Sequence, residues 1–209
     1  MADSLENKLV IAVTSRVLFE LGDAHSIFEK SGLKEYKAHQ RKNEDKPLEA
    51  GTGLPLIRAL LNINVQAGED LVEVILLTSN VADSGLRIIN SINESNLDIS
   101  RMAFTGGARH ATYLEAIPCD LFLSANPADV RDALRAGFAA AHVYPPPDTL
   151  ELDDQQVRIA FDGDNMLFDG ASEEIYQRAG LDACQKNEAA LEDTPLNPGP
   201  FKSKDFLRL

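Results

Sequence analysis

The chain has 209 residues, 44% of them hydrophobic, so it can bury a real core, and two cysteines are too few for a disulfide framework. A net charge of −13 at pH 7 excludes the continuous basic surface that a nucleic-acid polymer requires. No run approaches the roughly 18 apolar residues of a membrane span, and the start, MADSLENK, has no signal-like apolar segment, which predicts a cytoplasmic protein.

From Leu9 onward, short apolar runs alternate with helical patterns, the rhythm of an α/β fold with a doubly wound parallel sheet. LVIAV (9–13) is the first predicted strand, and helices near 26–42 and 54–64 follow it. LVEVILLT (71–78) is the second strand, succeeded by a helix near 84–96, the strand RMAFT (101–105) and a helix whose first turn holds His110. After the strand DLFLS (120–124) comes the clearest helix start: Asn126 as N-cap, Pro127 at the first position, Asp129 in the first turn and Gly137 as terminator. AAAHVY (139–144) closes this series. PPPD (145–148) and ELDDQQ (151–156) read as an exposed linker, beyond which VRIAFD (157–162) is a further strand.

An internal repeat organises the whole chain. Shifted by 148 residues, segment 11–51 lies on 159–199 without a gap, with eleven identities over 41 positions. Gly22, Gly32, Pro47 and Gly51 fall on Gly170, Gly180, Pro195 and Gly199. Two units are therefore expected, one at about 6–148 and a second, incomplete one at 155–209. In this register Asp162-Gly163-Asp164 falls on Thr14-Ser15-Arg16, so only the second copy carries the acidic pair.

Side chains at the C-terminal end of a parallel strand open into the crevice where such folds bind ligands. Two carboxylates spaced one residue apart there can divide a reaction: Asp162 attacks a phosphorus atom, and Asp164 protonates the leaving oxygen and later takes a proton from water. A hard cation such as Mg²⁺ would screen the approach of carboxylate to phosphate. For an isolated triplet, an Asp-Gly turn with a second solvated aspartate is the simpler explanation.

The context carries more than the triplet. An apolar strand, Asp-x-Asp and the apolar return Met166-Leu167-Phe168 resemble the nucleophile motif of the haloacid-dehalogenase-like phosphatases. FDGDNMLFDGASEEIY (161–176) resembles that motif in the cytosolic 5'-nucleotidase type I family. LVIAVTSRVLFEL (9–21), KPLEAGTGLPLIRALL (46–61), GLRIINSIN (85–93), FTGG (104–107) and DLFLSANPADVRDAL (120–134) resemble the N-terminal region of the same family. The resemblance implies Mg²⁺-dependent hydrolysis of nucleoside 5'-monophosphates such as AMP. It implies Asp162 as the nucleophile, Asp164 as acid and base, and Mg²⁺ held by the Asp162 carboxylate and the Asp164 backbone carbonyl.

The family's later motifs, a phosphate-binding hydroxyl, a lysine and further metal acids, have no match after Asp164; Lys202 and Lys204 fall where copy one has Leu54 and Leu56. Copy one has Thr78-Ser79 at a strand end, a candidate substrate contact, but Arg16 where the acid/base would stand and Ser124-Ala125-Asn126 where metal acids would stand. It reads as a degenerate, non-catalytic copy. Were strand 157–162 to take the central slot beside 71–78, Asp162 would face Thr78. A different class of function competes with hydrolysis: a catalytically silent nucleotide-binding or interaction module using Thr78, Ser79 and Arg16. Arg16 would contact an anion or pair with nearby acids, Gly106-Gly107 form a strand-to-helix turn, and His110 is expected to be exposed. Strand 157–162, short of neighbours of its own, leaves a homo-oligomer open.

Overall fold

Five of the apolar runs become the strands of one parallel sheet. The computed structural model describes residues 4–82, 85–145, 157, 159–160 and 167–199, the side chains of 22–25 and 29 excepted. The strands are β1 (Leu9–Val13), β2 (Val72–Thr78), β3 (Arg101–Phe104), β4 (Leu121–Ser124) and β5 (Ala140–His142). Their order is β3-β2-β1-β4-β5. All five residues of β1 are buried, because β1 pairs with β2 on one side and β4 on the other. Burial of both faces is what writes a strand as an unbroken apolar run.

Helices α1 (Ser15–Leu18), α2 (Gly22–Lys42), α3 (Leu54–Ala67), α4 (Leu86–Glu94), α5 (His110–Leu114) and α6 (Pro127–Arg135) connect the strands. Leu114 of α5 and Val130 and Ala133 of α6 pack with Ala12, Leu77 and Phe122 of the sheet in one apolar cluster. The start of α6 follows the sequence: the Asn126 side chain accepts from the Ala128 N–H at 3.0 Å, Pro127 needs no donor partner, and Gly137 ends the turn at φ +85°. The chain leaves β1 toward β2 and returns on the other side at β4, so the sheet has its switch point at β1, and the crevice opens beyond the C-terminal ends of these strands.

The chain divides into two compact units, Met1–Val157 and Arg158–Leu209. The second contains α7 (Ala171–Ala179) and α8 (Leu181–Ala190). The repeat is visible in the backbone. In the first unit Phe19 and Ala50 form an antiparallel bridge, and in the second Phe168 and Pro198 do the same. Gly51 N–H donates to Leu18 O at 2.8 Å, and its counterpart Gly199 N–H donates to Leu167 O at 2.9 Å. Gly32 kinks α2 at φ 84°, ψ −175°, and Gly180 separates α7 from α8 at φ 79°, ψ −179°. That conformation is essentially restricted to glycine, which explains why the repeat keeps it. The first side of the bridge slips by one residue, since the 148-residue register places Phe19 on Leu167 rather than Phe168.

Gly51 is fixed by a second constraint. A Cβ there would meet Phe19 N at 2.6 Å and Leu18 C at 2.8 Å, both backbone atoms that no side-chain rotation can move. Gly51→Ala is expected to destabilise the fold by about 1–3 kcal/mol, the range for forcing atoms into a packed site. Urea unfolding checks this through a lower midpoint with an unchanged slope.

Of the expected strand 157–162, residues 158, 161 and 162 lie outside the described residues, and Val157, Ile159 and Ala160 belong to no ladder. β1 itself holds the central slot, between β2 and β4. The linker 146–156 also lies outside the described residues. Among the described residues no helix is long and apolar enough to cross a membrane.

Candidate functional site

At the end of β1 the chain turns at Thr14 into α1, which brings Ser15 and Arg16 to the crevice. Across from them β2 ends in Thr78 and continues to Ser79 and Asn80. Ser15 Oγ and Thr78 Oγ1 lie 3.0 Å apart, and Asn80 Nδ2 donates to Thr78 Oγ1 at 2.9 Å. Thr78 is buried, and its hydroxyl is committed to these partners. Ser79 is exposed at the rim, with its Oγ 3.0 Å from His110 Nε2.

His110 corrects an expectation. The sequence predicts an exposed residue on a first helical turn, whereas His110 is buried in the crevice, only 6% exposed. The cause is local: Gly106 and Gly107, at φ +62° and +91°, turn the chain sharply after β3 and aim the short α5 inward. Its Nδ1 lies 3.5 Å from Asp129 Oδ2, close enough for charge attraction but too long for a full hydrogen bond. Ser124 Oγ donates to the same carboxylate oxygen at 3.0 Å. Burial works to raise the Asp129 pKa, but the contact and charge of His110, the Ser124 hydroxyl and the Arg16 charge outweigh it and hold the carboxyl below its ordinary value.

Helix α2 supplies the other wall. Tyr36 donates to Asn80 Oδ1, Gln40 Nε2 donates to the Tyr36 hydroxyl at 3.3 Å, and Arg87 Nη1 donates to Gln40 Oε1 at 3.3 Å. Burial pushes the Tyr36 phenol up, against the hydrogen bond from Gln40 and the charge of Arg87. Leu21, Phe28 and Leu33 complete this wall with apolar surface, and Phe28 meets the Tyr36 ring edge-on at 6.0 Å between centroids. The crevice has a volume of about 400 Å³.

Arg16, Thr78 and Ser79, singled out in the sequence as contacts for a substrate, thus lie around one cavity, with Thr78 in the floor and Ser79 and Arg16 open to it. Asp129 is the one carboxylate in its lining among the described residues, and it is engaged by His110 and Ser124. No cluster of three or more potential metal ligands occurs among the described residues, and with Arg16 beside a lone engaged carboxylate this crevice does not fit Mg²⁺. Asp162 and Asp164, with the Mg²⁺ expected at them, lie outside the described residues. Nearby Asp169 is occupied: its two oxygens accept from Ala171 N–H at 3.2 Å and Asn197 Nδ2 at 2.7 Å. Neither Cys119, which is buried, nor Cys184, which is half-buried, is in a disulfide.

The family model described as 5'-nucleotidase matches residues 1–208. Cytosolic 5'-nucleotidase 1B of Homo sapiens is 34% identical over 203 residues, which cover 94% of this chain and 33% of that protein. The chain thus spans about a third of the length of this curated relative. No solved structure matches it.

Proposed function

The chain belongs to the 5'-nucleotidase family, and on that premise we propose that it serves the hydrolysis of nucleoside 5'-monophosphates, AMP among them, with Asp162 as nucleophile and Asp164 as general acid and base. The Asp162 carboxylate attacks phosphorus and expels the nucleoside 5'-oxygen, which takes its proton from Asp164. Asp164 then accepts a proton from the water that attacks the aspartyl-phosphate, releasing phosphate and restoring Asp162. The donor chemistry of Asp162 and Asp164 suits Mg²⁺, which takes few carboxylates in an all-oxygen shell. When bound, Mg²⁺ would neutralise charge between carboxylate and phosphate. That the human relative is a cytosolic 5'-nucleotidase supports a cytoplasmic location.

The observation that carries this reading is the repeat. Thr14, the counterpart of Asp162, stands at the crevice end of the central strand, and the second copy shares the bridge and the glycine kink that follow. Phosphate release from AMP and IMP in Mg²⁺ tests it: nucleoside and phosphate in equal amounts are expected, and bound nucleotide without phosphate release would reject hydrolysis.

A second reading rests on the cavity beside β1. It is lined by hydroxyls, Arg16 and a single engaged carboxylate, a set that suits holding a nucleotide without cleaving it. The first unit would then be a silent nucleotide-binding module.

A further inference from the structure

We propose that the crevice of the first unit is a metal-independent site for a phosphate monoester carried on an aromatic body, a nucleoside monophosphate, separate from the acidic pair. This deepens the silent-module reading and rests on it. The repeat gives the reason for metal independence. Where the second copy has two carboxylates, the first has Thr14 and Arg16, so the charge at the strand end changes from negative to positive. A guanidinium there binds the anion that carboxylates alone would repel.

One buried polar atom of the lining, Thr14 Oγ1, is left without a hydrogen-bond partner. Thr14 is 5% exposed, and an unpaired hydroxyl at that depth is a donor waiting for an acceptor. Ser79 and Arg16 stand open beside it, whereas Ser15 and Thr78 are bonded to each other and form a fixed floor. The Asp129 carboxylate does not oppose an anion here as a free charge would, because His110 and Ser124 engage it. In a chain of net charge −13, the Arg16 guanidinium is the permanent cation that this lining offers an anionic ligand.

The opposite wall fits the rest of the ligand. Phe28 and Leu33 are 47% and 49% exposed, large apolar side chains left open at the cavity. A flat base covers such a surface while its phosphate reaches the polar side, and a volume of about 400 Å³ is of the size that small-molecule sites use.

Calorimetric titration of the whole chain with AMP, in EDTA and without divalent ions, tests this. One AMP per chain is expected to bind, with adenosine at least about tenfold weaker because the charge-assisted bonds are missing. Arg16→Ala should weaken AMP about tenfold or more, with partial recovery in Arg16→Lys; Arg16 is exposed, so the fold does not depend on it. Phe28→Ala should weaken AMP but leave inorganic phosphate unchanged. Asp162→Asn with Asp164→Asn should leave binding in EDTA unchanged. AMP binding that needs Mg²⁺ and disappears in the Asp162→Asn, Asp164→Asn chain would overturn the proposal while leaving the nucleotidase reading intact. Equal affinity for AMP and adenosine in EDTA would overturn phosphate recognition in this crevice.

Discussion

If Asp162 is the proposed nucleophile, Asp162→Asn is expected to lower phosphate release from AMP at least about 10⁴-fold, because an amide oxygen is a far weaker nucleophile than a carboxylate oxygen. Asparagine matches aspartate in size, so a loss of this kind arises with the fold intact, and an unchanged urea midpoint would confirm that. The same variant should still bind AMP in EDTA if the crevice beside β1 is the metal-independent site proposed above. Removing Asp162 therefore separates cleavage from binding. A silent module would show no difference between the two chains in either assay.

Asp164→Asn is expected to act differently. A positioned acid and base contributes about 10²- to 10⁴-fold, and its value depends on how badly the leaving group needs a proton. The ribose 5'-oxygen is a poor leaving group and needs it. Release from AMP should fall within that range, while the first step with p-nitrophenyl phosphate, whose alcohol departs as a stable anion, should be spared. The second step still needs a base to activate water, so with this ester the variant should show a burst of nitrophenol followed by slow turnover. A uniform loss with both esters and no burst would assign Asp164 a purely structural or metal-holding role.

The strands of the first unit are legible in the sequence because β1, β2 and β4 are buried on both faces and leave continuous apolar runs. The start of α6 is legible because Asn126, Pro127 and Gly137 each do one geometric job that few other residues do. The kink in α2 is less so. Gly32 sits inside a helical pattern, and only the second copy, where Gly180 adopts the same backbone and divides two helices, exposes its role. His110 is misread for a different reason: a five-residue helix is too short to show which face it buries, and its direction depends on two positive-φ glycines before it. Asp129 lies in the first turn of α6, where a helix N-terminus alone would account for it; its contact with His110 is tertiary and leaves no trace in spacing. The acidic pair lies outside the described residues, and its assignment rests on the sequence, where the repeat aligns it with Thr14 and Arg16.

The most direct test of Asp162 as nucleophile is to mix the chain with AMP labelled in its phosphate, in Mg²⁺, quench in acid within milliseconds to seconds, and map any label on the polypeptide. Label on Asp162, released by hydroxylamine and absent from Asp162→Asn, is the expected result. Label that persists in Asp162→Asn, or phosphate release with no labelled chain at any quench time, would contradict it.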